Sequence, residues 1–214
     1  MKKKIKAKKL WKQFERLVSA IEQLKNETDI NVKIKKDSVA EIEMTKSDLE
    51  LVAYHEIGHA IVTQVLAKNV VIQYIQLGET DTGEKGYNSI NEKNQIRKKS
   101  DFLDEIATML GGMVAEDIIY GQHSNGCCED LADAKNQISY MLGECAMGKK
   151  LSYNEDYLDD FYVEMEEILQ EQKARAEKAI KDNLKALKGM QKALIKNKTL
   201  EQKQVYKLFE KYGV

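Results

Sequence analysis

Two histidines and a glutamate form the pattern His-Glu-x-x-His at His55, Glu56 and His59. Residues four apart on a helix share one face, so the two imidazoles can bind one metal ion. Glu56 follows the first histidine and can accept a proton from a water that the metal activates. Because the chain contains only 3 histidines, a chance match to this pattern is rare. The pattern predicts peptide-bond hydrolysis at a Zn²⁺ site, with His55 and His59 as ligands and Glu56 as general base.

A catalytic zinc site usually has three protein ligands, so one more must come from elsewhere in the chain. A third histidine six residues after His59 is excluded, because residue 65 is valine. By residue type the candidates are His123, Cys127, Cys128 and a carboxylate on a later helix. A thiol near zinc would compete for the metal or act as a redox-sensitive inhibitor. We expect instead that both cysteines are small buried residues and that His123 lies in a surface loop.

The motif lies in the middle of a helix predicted over residues 48–67. Ser47 and Glu50 form the pattern of a capping box at its start. Apolar residues flank the motif on both sides, as expected for a buried helix. Gly58 lowers helix stability, but a glycine would let another backbone approach closely at this point.

The segments after the motif predict a small sheet followed by helices. β-branched residues predict a strand over 70–77, and 86–91 returns as a second strand after a glycine-containing turn. Apolar residues at helical spacing predict the remaining elements: 101–120 capped by Ser100, 129–147, a long helical region to about residue 194, and a last short helix capped by Thr199. The predicted fold class is mainly α (α+β), a helical zincin-type peptidase domain with a small β-sheet edge or hairpin.

Composition excludes several classes of protein. A formal net charge of −1 over 214 residues gives no bulk field that would attract nucleic acid. No stretch of apolar residues approaches the roughly 20 that a transmembrane helix needs. The basic start of the chain has no apolar segment behind it, so a secretion signal is not expected. The 3 cysteines do not form a disulfide framework, and we expect a cytoplasmic protein.

Residues 1–44 are predicted to form an N-terminal extension with a basic helix over 5–26 and a short strand near 30–34. The first 12 residues include 7 lysines. Such a charge run predicts a solvated helix face, and contact with anionic lipid or nucleic acid is the alternative.

Three segments resemble the peptidase domain of the FtsH-type ATP-dependent zinc proteases. That family has HEAGHA, a Gly-Gly-x-x-Ala-Glu helix and a Thr-Gly-x-x-x-Asp-Leu segment. Here the corresponding segments are HEIGHA at 55–60, GGMVAED at 111–117 and SNGCCEDL at 124–131, and NKTLEQKQVYKLF resembles the family's closing helices. The resemblance covers about residues 45–214 and implies an FtsH-like zinc peptidase domain there.

The resemblance also implies a role for Asp130, as the third zinc ligand at the start of a helix facing the motif. A carboxylate is a good zinc ligand, and a helix N-terminus favours its ionised form. The chain departs from the family just before Asp130, where Cys127, Cys128 and Glu129 replace small or amide residues.

A zinc-dependent endopeptidase acting on peptides or unfolded protein is the function that the resemblance implies. The family's membrane anchor and AAA ATPase module are not expected in this chain, and GECAMGKK at 143–150 lacks the Ser or Thr of a phosphate-binding loop. We therefore expect flexible substrates, or delivery by a separate AAA ATPase. The resemblance further implies a homo-oligomer, a six-membered ring. The polar strand 86–91 is expected to pair with an extended substrate.

Two other functions remain open. The domain could be a non-catalytic or regulatory binding module that associates with an FtsH-type AAA protease. It could also be a small metallopeptidase that cleaves a repressor.

Overall fold

The computed structural model describes residues 45–78, 86–92 and 96–214. The basic helix and the strand predicted within residues 1–44 lie outside this part of the chain. They remain predictions, as does the division into an extension and a peptidase domain.

The described part of the chain is mainly helical with one small sheet, which confirms the predicted fold class. Two 3₁₀ turns, at Asn125–Cys127 and Glu155–Tyr157, precede the fourth and fifth helices. In chain order the other elements are α1 (Lys46–Leu66), β1 (Val70–Leu77), β2 (Gly86–Glu92), α2 (Lys99–Met109), α3 (Gly111–Tyr120), α4 (Cys128–Gly143), α5 (Leu158–Asp182), α6 (Leu184–Asn197), β3 (Thr199–Glu201) and α7 (Gln202–Tyr212). No helix among these residues is both long enough and apolar enough to cross a bilayer.

The sheet is antiparallel, with β1 in the centre and the strand order β2-β1-β3. The strands predicted over 70–77 and 86–91 are both confirmed. The cap predicted at Thr199 is wrong, because Thr199–Glu201 forms β3 and Glu201 precedes α7. The pairing with β1 places Leu200 opposite Ile75, where Leu200 is only 1% exposed. Burial of this leucine favours a strand over an earlier start of the helix.

Helix α1 begins two residues earlier than predicted, with a different capping box. The Thr45 hydroxyl accepts a hydrogen bond from the Asp48 backbone N–H at 3.2 Å, and the Asp48 carboxylate accepts one from the Thr45 N–H at 3.0 Å. The prediction that Ser47 and Glu50 cap this helix is therefore wrong. Two overlapping pairs have Ser or Thr followed three residues later by Asp or Glu, and the first pair starts the helix.

The single helix predicted over 101–120 is in fact two helices, which meet at Leu110. The first starts at Lys99 instead of at a Ser100 cap, and the Lys98 N–H donates to the Asp101 carboxylate at 2.7 Å. The second starts with two glycines, which are poor helix formers. The change of direction allows α3 to cross α1.

The crossing of α1 and α3 brings the two backbones into contact. A Cβ atom added at Gly58 would lie 2.4 Å from the Gly111 carbonyl oxygen and 2.6 Å from the Ala115 Cβ. The structure therefore uses the close approach that a glycine at position 58 allows. Residues from His55 to Thr63 are all buried, so α1 is the central helix of the domain.

We expect Gly58→Ala to lower the free energy of unfolding by about 1–3 kcal/mol, because the new methyl group overlaps the backbone of α3. This loss should outweigh the higher helix propensity of alanine. Urea unfolding of the metal-free protein measures it. Gly143→Ala is the control, since a Cβ there would meet no heavy atom within 4 Å apart from its chain neighbours and the backbone of its own helix. Equal stability of the two variants would contradict the contact at Gly58.

Candidate metal centre

Three side chains predicted to bind metal converge at one point. The Nε2 atoms of His55 and His59 are 3.0 Å apart. The Oδ2 atom of Asp130, in the first turn of α4, lies 3.0 Å from the first and 3.4 Å from the second. Ligand atoms of tetrahedral zinc are each about 2.1 Å from the ion and so about 3.4 Å from one another. The three atoms therefore enclose a space that fits such an ion.

Two acceptors from neighbouring helices orient the imidazoles. The Nδ1–H of His55 donates to the Glu116 carboxylate at 2.7 Å, and that of His59 donates to the Thr108 carbonyl oxygen at 2.7 Å. With the proton on Nδ1, each neutral ring directs the lone pair of its Nε2 towards the shared point. Two neutral imidazoles and one carboxylate form a donor set that suits zinc.

Glu116 itself is held firmly in α3. Its side chain is fully buried, and its second carboxylate oxygen accepts the backbone N–H of Ser124 at 2.5 Å. Burial raises the pKa of the Glu116 carboxyl, but the hydrogen bonds from His55 and Ser124 outweigh burial and the pKa is lowered. Glu116 therefore stays ionised and connects α3 to the loop that leads into α4.

The charges in the metal-free protein favour a proton where a metal would bind. Burial lowers the pKa of His55, but hydrogen bonds to Asp130 and Glu116 outweigh burial and raise the pKa to about 10. Burial likewise raises the pKa of Asp130, and its hydrogen bonds with His55 and His59 bring the pKa well below the ordinary value. A metal bound here must displace the His55 proton, because only the neutral ring is a ligand.

Glu56 lies beside the three candidate ligands and is buried. One oxygen of its carboxylate accepts a hydrogen bond from the Asn88 side-chain amide at 2.7 Å. Burial raises the pKa of Glu56, since it outweighs the opposing influence of His59, His55 and Asn88. A raised pKa suits a carboxylate that must both accept and donate a proton near neutral pH.

Helix α3 lies directly against the His55 ring. A Cβ atom added at Gly112 would lie 2.4 Å from both Cε1 and Nε2 of His55. Any larger residue at this position would displace the imidazole from the candidate site.

The other candidate ligands lie outside this cluster. His123 is exposed and its Nδ1 pairs with the Asp117 carboxylate at 2.8 Å, which confirms it as a surface residue. Cys127 is buried, as predicted, and its thiol donates to the Ser124 carbonyl oxygen at 3.2 Å. Burial raises the pKa of the Cys127 thiol, which disfavours the reactive thiolate. The prediction that Cys128 is buried is wrong, because this residue is exposed on the first turn of α4.

Sequence reasoning missed the roles of three residues: Glu116, Thr108 and Asn88. Glu116 belongs to the GGMVAED segment, so the family pattern contained a signal for it. The contacts of Thr108 and Asn88 depend on helix and strand packing, and no local pattern indicates them.

The site opens into a cleft of about 690 Å³, bounded by α1, β2, the end of α2 and the loop before α4. Strand β2 is an edge strand of the sheet, so within the described residues only β1 pairs with it. This strand order agrees with the expectation that residues 86–91 form the edge of the sheet. The strand also lies beside the candidate site, because Gly86 and Asn88 line the cleft.

Fold and sequence together define the class of this protein as a metallopeptidase domain. Residues 42–161, more than half of the chain, match the family described as Peptidase family M41, and the chain belongs to that family. The FtsH-type resemblance found in the sequence is thereby confirmed.

Curated relatives carry the name ATP-dependent zinc metalloprotease FtsH. FtsH 1 of Thermoanaerobacter sp. (strain X514) is 28% identical over 190 residues, which covers 78% of this chain and 31% of the relative. The Lactococcus lactis protein is 30% identical over 188 residues (75% and 26%), and the Bacillus subtilis protein is 26% identical over 193 residues (78% and 30%). The chain thus spans less than a third of the length of these relatives. Their names agree with the zinc that the His-Glu-x-x-His pattern predicted.

Proposed function

We propose that this chain is a zinc-dependent endopeptidase that hydrolyses peptide bonds in peptides or unfolded protein segments. The observation that carries the proposal is the convergence of His55, His59 and Asp130 beside the buried carboxylate of Glu56, in an open cleft. Membership of Peptidase family M41 supports the same activity.

The residues of the site have two tasks in this proposal: three of them hold the metal ion, and one transfers protons. Zn²⁺ held by His55, His59 and Asp130 would supply a Lewis acid, which lowers the pKa of water and polarises the scissile carbonyl group. Glu56 accepts the proton of the attacking water and then donates it to the leaving amine. Its raised pKa favours this return of the proton.

Strand β2 is the proposed binding edge for the substrate. An extended peptide that pairs with β2 gains backbone hydrogen bonds without requiring a particular side chain. Because folded proteins rarely offer a free extended segment, this mode of binding selects peptides and unfolded regions. It also explains why an unfolding partner would widen the range of substrates.

Partners are proposed from the relatives, whose names describe them as ATP-dependent. We propose that an AAA ATPase delivers unfolded segments to this domain, and that the domain assembles as a homo-oligomer. The six-membered ring remains a prediction from the family resemblance.

The arrangement at Glu56 favours an active enzyme over a regulatory binding module. A module that only binds an AAA protease has no need of a carboxylate held beside three candidate ligands. The match to Peptidase family M41 likewise favours the FtsH-like interpretation over a small repressor-cleaving peptidase.

Metal analysis combined with a peptidase assay tests the proposal. We expect the purified protein to contain equimolar zinc and to cleave casein or an unstructured peptide. Removal of the metal with a chelator should abolish cleavage, and added zinc should restore it. Cleavage that is equally fast after complete metal removal would overturn the proposal.

Replacement of Glu116 should weaken metal binding without removing a ligand. We expect Glu116→Gln to lower zinc affinity by about 10- to 100-fold, because a neutral amide orients and polarises the His55 ring less well. Competition with a chromogenic chelator measures this affinity. Asp117→Asn is the control on the same helix, since Asp117 pairs with the exposed His123 and with Lys173. Equal affinities of the two variants would contradict the role of Glu116.

A further inference from the structure

Asn88 of β2 contacts the proposed general base in two ways. Its Nδ2 atom lies 2.7 Å from Oε2 of Glu56 and 2.9 Å from the backbone carbonyl oxygen of the same residue. A carboxylate and a carbonyl group can only accept hydrogen bonds, whereas an amide nitrogen has two N–H groups to donate. One side chain of the sheet therefore binds both the backbone and the carboxylate of Glu56.

The orientation of the Asn88 amide follows from these acceptors. The Oδ1 atom of Asn88 is buried and has no hydrogen-bond partner. Rotating the amide by half a turn would place this oxygen against two other oxygens, which repel it. The fold thus leaves one buried acceptor unpaired and keeps the donor on Glu56, which indicates a requirement beyond packing.

The same face of β2 also makes room for the Glu56 side chain. Gly86 lies two residues before Asn88, so both positions face α1. A Cβ atom at Gly86 would lie 2.4 Å from Oε1 and 2.7 Å from Cγ of Glu56. One carboxylate oxygen is therefore fixed by Asn88, and the other occupies the space that Gly86 leaves open.

We infer that Asn88 is a positioning residue, which holds the Glu56 carboxylate in the orientation for proton transfer and couples it to the strand that receives the substrate. This inference rests on the proposed function. The contacts are made by β2, the proposed binding edge. Because β2 both pairs with the peptide and orients Glu56, it would align the peptide with the proposed base.

Steady-state kinetics of two variants of Asn88 tests the inference. We expect Asn88→Ala to lower kcat by about 10- to 100-fold, since a misplaced catalytic group can cost that much. Zinc content should not change, and KM should change little, because backbone pairing with β2 remains. Asn197→Ala is the control: Asn197 also donates its side-chain amide to a backbone carbonyl group, but on the exposed end of α6.

Asn88→Asp separates positioning from space filling. Aspartate has nearly the same volume as asparagine, so a role in packing alone would leave this variant more active than Asn88→Ala. In our inference the carboxylate repels Glu56, and Asn88→Asp is at least as impaired in kcat as Asn88→Ala. The opposite order, or an unchanged kcat in both variants, would overturn the inference.

A second measurement needs neither metal nor activity. In the metal-free protein, melting temperatures of Asn88→Ala, Glu56→Ala and the double variant form a mutant cycle. We expect the shift of the double variant to differ from the sum of the single shifts, because the two side chains bind each other. Additive shifts would show that the contact is absent.

The two proposals can fail separately. A zinc-loaded wild type that cleaves no peptide would overturn the proposed function, while the mutant cycle would still test the contact. An active wild type with full kcat in both Asn88 variants would overturn only the positioning role.

Discussion

Glu56→Gln is expected to retain zinc and to lose peptide hydrolysis, with kcat lowered by about 10²- to 10⁴-fold. Glutamine has the shape of glutamate and can still accept the hydrogen bond from Asn88, so the cleft should keep its form. Its amide cannot take a proton from water or return one to the leaving amine. Zinc content and kcat, measured on the same preparation, separate loss of the base from loss of the metal.

Glu50→Gln is the matched control for this prediction, because Glu50 lies on the same helix but does not line the cleft. It should cleave casein at the rate of the wild type. Undiminished cleavage of casein by Glu56→Gln would rule out Glu56 as the base. If Glu56→Gln loses zinc as well, its carboxylate would have to act at the metal, which is a different role from the proposed one.

Asp130→Ala should lose the metal itself. Removal of one of the three proposed ligands leaves only the histidine pair, and we expect zinc affinity to fall by more than about 100-fold, the upper effect of residues that merely support a ligand. Hydrolysis should fall with occupancy at limiting zinc. Chelator competition gives the affinity, and added zinc should restore activity only in part, because the coordination geometry is changed.

Asp133→Ala is the matched control for Asp130→Ala. Asp133 lies one turn further along α4 and lines the same cleft, but it is not within the group of three candidate ligands. It should bind zinc as the wild type does. Equal zinc affinity in Asp130→Ala and the wild type would reject Asp130 as a ligand, whereas a metal-bound structure with its oxygen within about 2.2 Å of zinc would establish it.

Local sequence patterns predict most elements of the fold, and the error at the start of α1 has a local cause. The helix that contains the motif, the two strands after it and the mainly helical remainder were all predictable from apolar spacing and residue type. Sequence alone predicts the wrong cap for α1, because Ser47 with Glu50 also has the pattern of a capping box although Thr45 with Asp48 forms it. No spacing rule chooses between two overlapping patterns.

The errors further along the chain have tertiary causes. The break at Leu110 allows α3 to lie against α1, and the strand at Thr199 exists because β1 offers an edge beside a buried leucine. In both places a segment adopts the conformation that its neighbours stabilise, and these neighbours are distant in sequence. Propensity is a weak guide where packing contributes more free energy.

The sequence by itself determined which groups could do the chemistry. His55 and His59 are four residues apart, so any helix containing them puts both imidazoles on one face. Glu56 is the residue after His55 and therefore lies on the same helix turn. The physical reason is that the geometry of a helix is the same in every protein.

Only the tertiary structure decided what completes and orients these groups. Asp130 is 75 residues from His55, Glu116 is 61 residues from it, and Asn88 is 32 residues from Glu56, yet all three pairs are within hydrogen-bond distance. Such contacts depend on the crossing of α1 with α3 and on the position of β2, which are set by the packing of the whole domain. The helix motif supplies the groups for the proposed chemistry, and the packing around it determines where each candidate ligand and the proposed proton acceptor point.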